Sequence, residues 1–469
     1  MPGGSARYPA LVLITTILAS SLAFVDGSVV NVGLPAIQAG LKADPAALQW
    51  VINAYLLPLS ALLLLGGAVG DRLGRKITLI AGTAIFGVAS ALCAAAWSLP
   101  VLLAARALQG TAAAFVLPTS LAILGVSFSG HARGRAIGIW AAAGAAVGAV
   151  GPVLGGWLID QYGWRTVFVI NLPLAAAAIV LAAAAIREPR SNSGARLDVL
   201  GSGIVTLALG LLVWALTDAS GGRGWTARAV IALATGVVLL WVFVRIEAKR
   251  GSAAAMPLSL FASRTFVGLN LLTLILYGAL SALLVLIPYV LIEGGRFSGT
   301  AAGAALLPLP VIVALLSPAT GTLAERTGSR PLLVGGTLVV ASGFLVLTVA
   351  PVRGGYWLAI FPALTLVSLG MSAVAAPLTS AVLNSAGPGA AGAASGFNNA
   401  VSRLGGTFAT ALMGGIFSAT GAALSTAFHR TALAGAIASL GAAALTLTLV
   451  GSATGPPDGS SPSGGPAHR

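Results

Sequence analysis

Long uncharged apolar runs constrain the fold of this chain more than any other feature. Of its 469 residues, 57% are hydrophobic and only 8% are charged, whereas a soluble domain carries about 25% charged residues. A helix crosses the hydrocarbon core of a bilayer with about 20 apolar residues, and fourteen segments reach that length. The sequence therefore predicts an all-α integral membrane protein. The predicted spans are approximately residues 9–32, 48–70, 77–97, 99–126, 136–159, 165–186, 199–217, 226–246, 267–292, 300–324, 331–351, 356–380, 394–419 and 430–451.

The distribution of basic residues predicts how these spans are oriented. A net charge of +14 would by itself suggest a nucleic-acid-binding protein. However, sixteen of the 25 Lys and Arg residues lie at the N-terminus, at the C-terminus or in every second loop, which all face the same side of the predicted membrane. Seven lie in the loops on the opposite side. Because cytoplasmic loops carry the excess of Lys and Arg, we expect both termini to be cytoplasmic. The expected partner is thus the lipid bilayer and not nucleic acid.

An internal repeat indicates how the spans are grouped. Residues 67–76 read GAVGDRLGRK and residues 321–330 read GTLAERTGSR, so that two glycines, an acid, an arginine and a terminal base recur at a constant offset. Parallel repeats of six spans are typical of one large class of transporters, whose substrate site lies between the halves. The predicted organisation is a six-helix bundle at 1–190, two inserted helices at 191–255, a second six-helix bundle at 256–451 and a disordered cytoplasmic tail at 452–469.

Asp26 is the one acidic residue placed well inside a predicted span. An ionised carboxylate at that depth is costly unless it is paired, hydrated or protonated, so a proton-relay role is the default hypothesis. Arg106 lies at a similar depth in the fourth span, and an arginine keeps its proton. We therefore expect any transferred proton to reside on Asp26, with Arg106 stabilising the carboxylate only when it is close. A static ion pair that fixes helix packing is the structural alternative.

Small residues recur along one face of the fifth span, at spacings of four and three. They allow another helix to approach closely, and a proline among them favours a kink. The pattern is consistent with simple packing and with a proton-impermeable seal that bends during transport, and the sequence leaves both open. The residues of this pattern are Gly144, Gly148, Gly151, Pro152, Gly155 and Gly156.

The repeated loop carries a cluster of charges next to a helix end. Asp71 would lie at the C-terminal end of its helix, where the helix dipole disfavours an acid, so neighbouring bases are expected to compensate it. Such a cluster, formed in only one conformation, would act as a gate, whereas a solvated turn is the alternative. The candidate gate residues are Gly67, Asp71, Arg72, Gly74, Arg75, Lys76, Glu325 and Arg326.

A few polar residues in or near the spans are candidates for lining a substrate cavity, namely Asn31, Gln109, Tyr277 and Arg403. Two intramembrane arginines against one aspartate predict a cavity that does not favour doubly charged cations. The sequence contains no HExxH, GxSxG or P-loop motif, and its three histidines lie in loops or in the tail. We therefore expect no enzyme activity, no metal and no cofactor, with the proton gradient as the energy source.

Several motifs together resemble those of one transporter family. They are the loop from Gly67 to Leu79; Leu102, Arg106, Gln109, Gly110 and Ala114 in span 4; Gly151, Pro152, Gly155 and Gly156 in span 5; Asp26 to Pro35; Trp164 to Pro173; and Leu197 and Asp198. The loop and the span 4 motif resemble the major facilitator superfamily, and the span 5 motif resembles its proton-coupled exporters. The remaining motifs resemble its fourteen-span drug:proton antiporter branch. Val147, where the span 5 motif usually begins with glycine, departs from the pattern.

This resemblance implies the major facilitator fold, with two six-helix bundles and two inserted helices. It implies proton-coupled export of small amphipathic or drug-like compounds by alternating access, in a bacterial cytoplasmic membrane, with Asp26 and Arg106 in proton coupling. We expect the protein to be a monomer. A proton-coupled importer or symporter, or a dedicated exporter of an endogenous metabolite, is the alternative on the same fold, while a membrane-embedded enzyme is disfavoured.

Overall fold

The computed structural model describes residues 8–186, 188, 199–250, 258–351, 356–386 and 391–451. Within these ranges the chain is helical and contains no β-strand. The predicted disordered tail at 452–469 lies outside the described residues, and so do both predicted domain boundaries, 190/191 and 255/256. The all-α prediction is confirmed for the part of the chain that the structure describes.

The main helices are numbered α1 to α14 in chain order. They are α1 (Pro9–Leu41), α2 (Gln49–Leu73), α3 (Arg75–Ala94), α4 (Leu99–Ser127), α5 (Gly130–Tyr162), α6 (Thr166–Ala185), α7 (Val199–Asp218), α8 (Ala227–Arg250), α9 (Arg264–Glu293), α10 (Gly299–Thr327), α11 (Ser329–Leu347), α12 (Tyr356–Ser385), α13 (Ala391–Ala411) and α14 (Gly421–Leu449). Helices α6 and α10 each contain a short break.

Thirteen of these helices are long and apolar enough to cross a membrane, so the protein is a multi-pass membrane protein. The exception is α13, which was predicted as the span 394–419. It ends at Ala411, and a separate turn of helix follows at Gly414–Phe417. Asn398, Asn399 and Arg403 make α13 less apolar than the other helices. The count of fourteen membrane spans is therefore not confirmed.

Two helices extend well beyond the predicted spans. Helix α1 continues to Leu41 although it contains Pro35, because neighbouring helices and local adjustments satisfy the backbone groups that a proline frees in a transmembrane helix. Helix α14 begins at Gly421, and its first turns carry His429 and Arg430. In α14, polar residues thus mark the end of the predicted span, not the end of the helix.

The helices pack in two groups of six. In the first group, α2 and α3 pack on α4, and α1 packs on α5 and α6; in the second, α9 packs on α13 and α14, and α11 packs on α12 and α14. Helices α7 and α8 pair with each other, and α7 lies against α2 and α13. We call α1–α6 the first half and α9–α14 the second half. The halves meet where α2 contacts α13, where α1 contacts α9 and where α5 contacts α10.

The repeated loop forms the same turn in both halves. Gly74 and Gly328 both have a positive φ, of 108° and 82°, which a residue without a Cβ adopts readily. Two residues after this glycine, a base reaches the end of the last helix of the same half. Lys76 Nζ donates to the carbonyl of Ala183 at 2.7 Å, and Arg330 donates to the carbonyl of Leu447.

Candidate functional site

Asp26 lies at the centre of a buried polar network formed by α1, α3, α4 and α6. Its side chain is completely buried and forms an ion pair with Arg106 through Oδ2. The other carboxylate oxygen accepts hydrogen bonds from Gln109 Nε2 at 2.9 Å and from Asn171 Nδ2 at 3.4 Å. Both oxygens therefore have donors, as an ionised carboxylate requires.

Arg106 is held by contacts from three helices and is only 1% exposed. Its Nε donates to the carbonyl of Val51 at 3.0 Å, and one terminal nitrogen donates to both Asp26 and Gln109, the latter at 2.8 Å. The guanidinium carbon lies 4.4 Å from the centre of the Tyr55 ring, a cation–π distance. The positive charge is thus compensated by a carboxylate, by an amide and by an aromatic face.

Sequence reasoning missed the residues that surround this pair. Ser90 Oγ accepts a hydrogen bond from Gln109 Nε2 at 2.9 Å and donates to the carbonyl of Phe86. Tyr55 donates its hydroxyl hydrogen to the carbonyl of Ala23 at 3.1 Å. A serine or a tyrosine within an apolar run carries no distinctive signal, and only the packing of α2 and α3 against α4 brings these side chains to Asp26.

The predicted cavity residues lie on four different helices. Gln109, on α4, is completely buried within the Asp26 network in this conformation, and its role in lining a substrate cavity stays a prediction. Asn31, Tyr277 and Arg403 are partly exposed, on α1, α9 and α13 respectively. Among the described residues, no three His, Cys, Asp or Glu side chains lie close enough to hold a metal ion.

A second polar cluster lies in the second half and contains no charged group. Asn398 Nδ2 on α13 donates to Asn270 Oδ1 at 3.1 Å and to Thr273 Oγ1 at 2.7 Å, both on α9. Asn270 and Thr273 are buried and also donate to backbone carbonyls one turn earlier on α9. This cluster joins two helices of the same half by neutral hydrogen bonds.

The small residues of α5 contact two different helices. A Cβ on Gly151 would lie 2.1 Å from Ser28 Oγ, and one on Gly155 would lie 2.4 Å from Val29 Cγ1, so this face packs on α1. Gly144 likewise lies against the ring of Phe24 on α1. Gly148 differs from these glycines, because no atom lies within 4 Å of the position of its Cβ.

The other face of α5 meets α10 of the second half. A Cβ on Gly156 would lie 2.1 Å from the carbonyl oxygen of Gly299, and one on Gly303 would lie 2.1 Å from the carbonyl oxygen of Pro152. The two backbones thus touch, and any side chain at Gly156 or Gly303 would force the halves apart.

Asp160 fastens the same contact with hydrogen bonds. Its Oδ1 accepts from the backbone N–H of Gly299 at 2.9 Å, and its Oδ2 accepts from the N–H and the hydroxyl of Thr300 at 2.8 and 2.6 Å. An acid of the first half therefore caps the N-terminus of a helix in the second half. No sequence pattern indicated these hydrogen bonds of Asp160 to Gly299 and Thr300, which we call the Asp160 latch. We call this side of the bundle the Asp160 end, and the opposite side, with the repeated loops, the Asp71 end.

At the Asp71 end, the first loop is organised by an ion pair. Asp71 Oδ1 lies 2.7 Å from a terminal nitrogen of Arg75, whose other terminal nitrogen donates to the carbonyl of Ala122 at 3.2 Å. The carboxylate of Glu188 accepts from the backbone N–H groups of Lys76 and Ile77 at the start of α3. Of the remaining candidate gate residues, Gly67 lies close to Pro118, and Arg72 is exposed.

The second loop lacks this ion pair. Glu325 and Arg326 are both exposed, and Ser329 occupies the position that Arg75 has in the first loop. The hydrogen bonds of Arg75, Lys76 and Arg330 all stay within their own half. These hydrogen bonds between loop and helix therefore do not join the two halves.

Comparisons with known proteins agree with this architecture. The chain is 32% identical to "Multidrug resistance protein Stp" of Mycobacterium tuberculosis over 420 residues, which cover 88% of this chain and 76% of that protein. It is also 32% identical to the "Probable actinorhodin transporter" of Streptomyces coelicolor over 427 residues, 89% of this chain and 73% of that protein.

Solved structures show the same fold at low sequence identity. The inward open conformation of the xylose transporter XylE from E. coli superposes with a TM-score of 0.66 at 15% identity, covering 96% of this chain and 98% of that chain. Residues 16–410 match the Major Facilitator Superfamily. This match covers most of the chain, and it agrees with the two packed groups of six helices and with the repeated loop at the start of α3 and α11. The chain therefore belongs to the major facilitator superfamily, whose members carry small molecules across membranes.

Proposed function

We propose that this protein exports small amphipathic or drug-like compounds across a bacterial cytoplasmic membrane in exchange for protons. Relatives named for multidrug resistance and for export of tetracenomycin C and cephamycin support the direction and the class of compound. The excess of basic residues at the Asp71 end supports a cytoplasmic position for this end and for both termini. The transporter works as a monomer, without a cofactor.

The observation that carries the proposal is the completely buried ion pair of Asp26 and Arg106. A carboxylate within a membrane-spanning helix is expected to serve function, because its desolvation is expensive. Here every side-chain hydrogen bond of Asp26 comes from a donor: Arg106, Gln109 and Asn171. This conformation therefore holds the ionised form of Asp26, and proton uptake requires that Arg106 withdraw.

Asn171 can accept a hydrogen bond from protonated Asp26 after Arg106 withdraws. Its side-chain oxygen is buried and has no hydrogen-bond partner, whereas its nitrogen donates to Asp26 and Ser90. Rotation of this amide by half a turn would present the oxygen to Asp26 as an acceptor, which a protonated carboxyl needs. The same residue can thus serve both protonation states of Asp26.

The difference between the two ends supports transport by alternating access. At the Asp160 end, Asp160, Gly156 and Gly303 join the halves through backbone contacts. At the Asp71 end, the bases hold helices of their own half together. We assign this structure to the state that is closed at the Asp160 end, and the transport cycle requires this latch to break while the Asp71 end closes.

The test is dye transport into inverted membrane vesicles under an imposed pH gradient. We expect wild-type protein to accumulate dyes only when the vesicle interior is acidic, and the Asp26→Asn variant to lose this dependence on the gradient. Asp44→Asn is the matched control, because Asp44 is an exposed acid at the start of a short helix that an asparagine can also cap. Gradient-driven transport by Asp26→Asn, or ATP-driven transport by the wild type, would refute the proposal.

A further inference from the structure

The charges between the two halves do not balance at the level of Tyr55. Arg106, on the first-half side, is paired with Asp26. Arg403 lies on α13 of the second half, three residues after Ala400, which packs in the same core cluster as Tyr55. Neither the ion pair of Asp26 with Arg106 nor that of Asp71 with Arg75 includes Arg403. The positive charge of Arg403 therefore has no carboxylate partner among the described residues at the contact between α2 and α13.

The guanidinium of Arg403 has unused donors. Its Nε is buried and has no hydrogen-bond partner in the described part of the chain. Within the described part of the chain its side chain makes no hydrogen bond, and its backbone carbonyl accepts from the Thr407 hydroxyl. The residue as a whole is partly exposed, and its terminal nitrogens, unlike Nε, are not among the buried unpartnered atoms, so a ligand can reach them. An arginine has five N–H donors in a planar fork, and a charged group within a membrane-spanning bundle normally has a partner.

The backbone of Arg403 is held rigidly from two sides. On one side, Ala400 packs in a core cluster with Tyr55 and Leu59 of α2. On the other side, a Cβ on Gly405 would lie 2.3 Å from the carbonyl oxygen of Leu274, so α13 touches the backbone of α9. Asn398 fastens the preceding turn to α9. A charged group on such a rigid support is well placed to position a ligand.

We propose that Arg403 binds an anionic group of the transported compound, a carboxylate or a similarly acidic oxyanion carried on an apolar body. This inference rests on the proposed function and specifies its substrate class. The planar guanidinium matches two oxygens of one carboxylate, and the apolar body is that of the amphipathic compounds in the proposed function. The Asp26 carboxylate does not compete, because Arg106 already occupies it.

Binding of two dyes that differ only in this group tests the proposal. Rhodamine B carries a free carboxylate, and rhodamine B ethyl ester carries the same ring system without it. Binding to the purified full-length protein in lipid nanodiscs is followed by fluorescence anisotropy, without a proton gradient. We expect the wild type to bind rhodamine B about tenfold more tightly than the ester, as one hydrogen-bonded charge pair provides.

The variants identify the residue that is responsible. Arg403→Gln is expected to bind both dyes with the weaker affinity of the ester, and Arg403→Lys to keep part of the preference because it keeps the charge. Arg228→Gln, which removes an exposed arginine at the start of α8, should bind like the wild type. A wild-type protein that shows no preference, binds neither dye, or keeps its preference in Arg403→Gln would overturn the proposal.

A structural or coupling role of Arg403 would give a different result. In that case Arg403→Gln would weaken binding of both dyes equally, or leave binding unchanged and abolish gradient-driven transport, and either result overturns the proposal. Because the binding assay needs no gradient, the preference for the carboxylate can be present even if gradient-driven export fails. Failure of export would then contradict the proposed function alone.

Discussion

The two halves of this protein share a helix arrangement but differ in their buried charges. The first half buries Asp26 and Arg106 in one network with Gln109. The second half joins its helices α9 and α13 through neutral groups, Asn398 with Asn270 and Thr273, and carries Arg403 without a carboxylate partner among the described residues. Yet both halves build the same turn at Gly74 and Gly328.

This difference shows which features a repeat retains and which can diverge. The turn and the base that anchors it depend on backbone geometry, which both halves need in order to pack six helices. Buried charges are not needed for packing, since neutral groups serve the second half. In our proposals the first half exchanges the proton and the second half binds the anionic group of the substrate, so the division of charge corresponds to a division of tasks.

The largest difference in stability is expected between two variants, one that removes Arg106 and one that removes Arg403. Arg106→Leu leaves Asp26 buried without its partner, which should lower the free energy of unfolding by about 3–5 kcal/mol. Arg403→Leu removes a charge that has no carboxylate partner in the described structure, so it should leave stability unchanged or raise it. Thermal unfolding of the purified variants in one detergent measures the difference.

The double variant Asp26→Leu with Arg106→Leu is the control for this pair. It removes both charges, and a hydrophobic replacement of a buried pair is often neutral or stabilising, so it should recover most of the stability that Arg106→Leu loses. If Arg403→Leu destabilised the protein as strongly as Arg106→Leu, the second half would need its arginine for folding, and the contrast between the halves would be wrong.

An intermediate effect is expected where the halves touch. Gly156→Ala places a Cβ 2.1 Å from the carbonyl oxygen of Gly299, so α5 and α10 must separate, at a cost typical of overpacking of about 1–3 kcal/mol. Gly148→Ala makes the same chemical change where no atom lies within 4 Å, and it should be neutral or slightly stabilising, since alanine favours a helix. Thermal unfolding measures both variants.

Proton leakage in liposomes then separates the two interpretations of the α5 glycines. A stable Gly148→Ala variant that leaks protons would favour a seal, and one that remains tight would favour packing as the role of the glycine face. Equal loss of stability in Gly148→Ala and Gly156→Ala would contradict the arrangement described for α5 and α10.

The smallest effect is expected at the repeated loops. Asp71→Asn removes an ion pair in which the Asp71 side chain is 42% exposed, so solvent screening limits the loss of stability to about 0.5 kcal/mol. Glu325→Gln should have no effect on stability, because Glu325 is exposed and Ser329 stands where the first loop has Arg75. Urea-dependent unfolding at low salt measures the difference, which should shrink at high salt.

Transport rates under the same pH gradient extend this comparison. If the first loop is the gate, Asp71→Asn should slow dye transport and Glu325→Gln should not. Equal slowing by both variants would show that the exposed second loop contributes to the gate as much as the ion-paired first loop does.

Much of the Asp26 site could be predicted because charged residues are rare in these helices. Asp26 and Arg106 stand out in apolar runs, and family motifs singled out Gln109. Ser90, Tyr55 and the carbonyl of Val51 could not be predicted, because a hydroxyl or a backbone group in an apolar helix has no distinctive pattern. Asp160 was missed for another reason: its partners are backbone N–H groups of Gly299 and Thr300, which every sequence contains.

The sequence by itself determined that the chain is helical and membrane-embedded and that its six-helix pattern repeats, because hydropathy and turn glycines are local properties. Only the tertiary structure decided which charges are paired. Arg106 and Arg403 are the same residue type in similar helices, yet one lies against a carboxylate and the other does not. Coulombic pairing depends on distances of a few ångströms between helices far apart in the chain, and helix packing alone sets those distances.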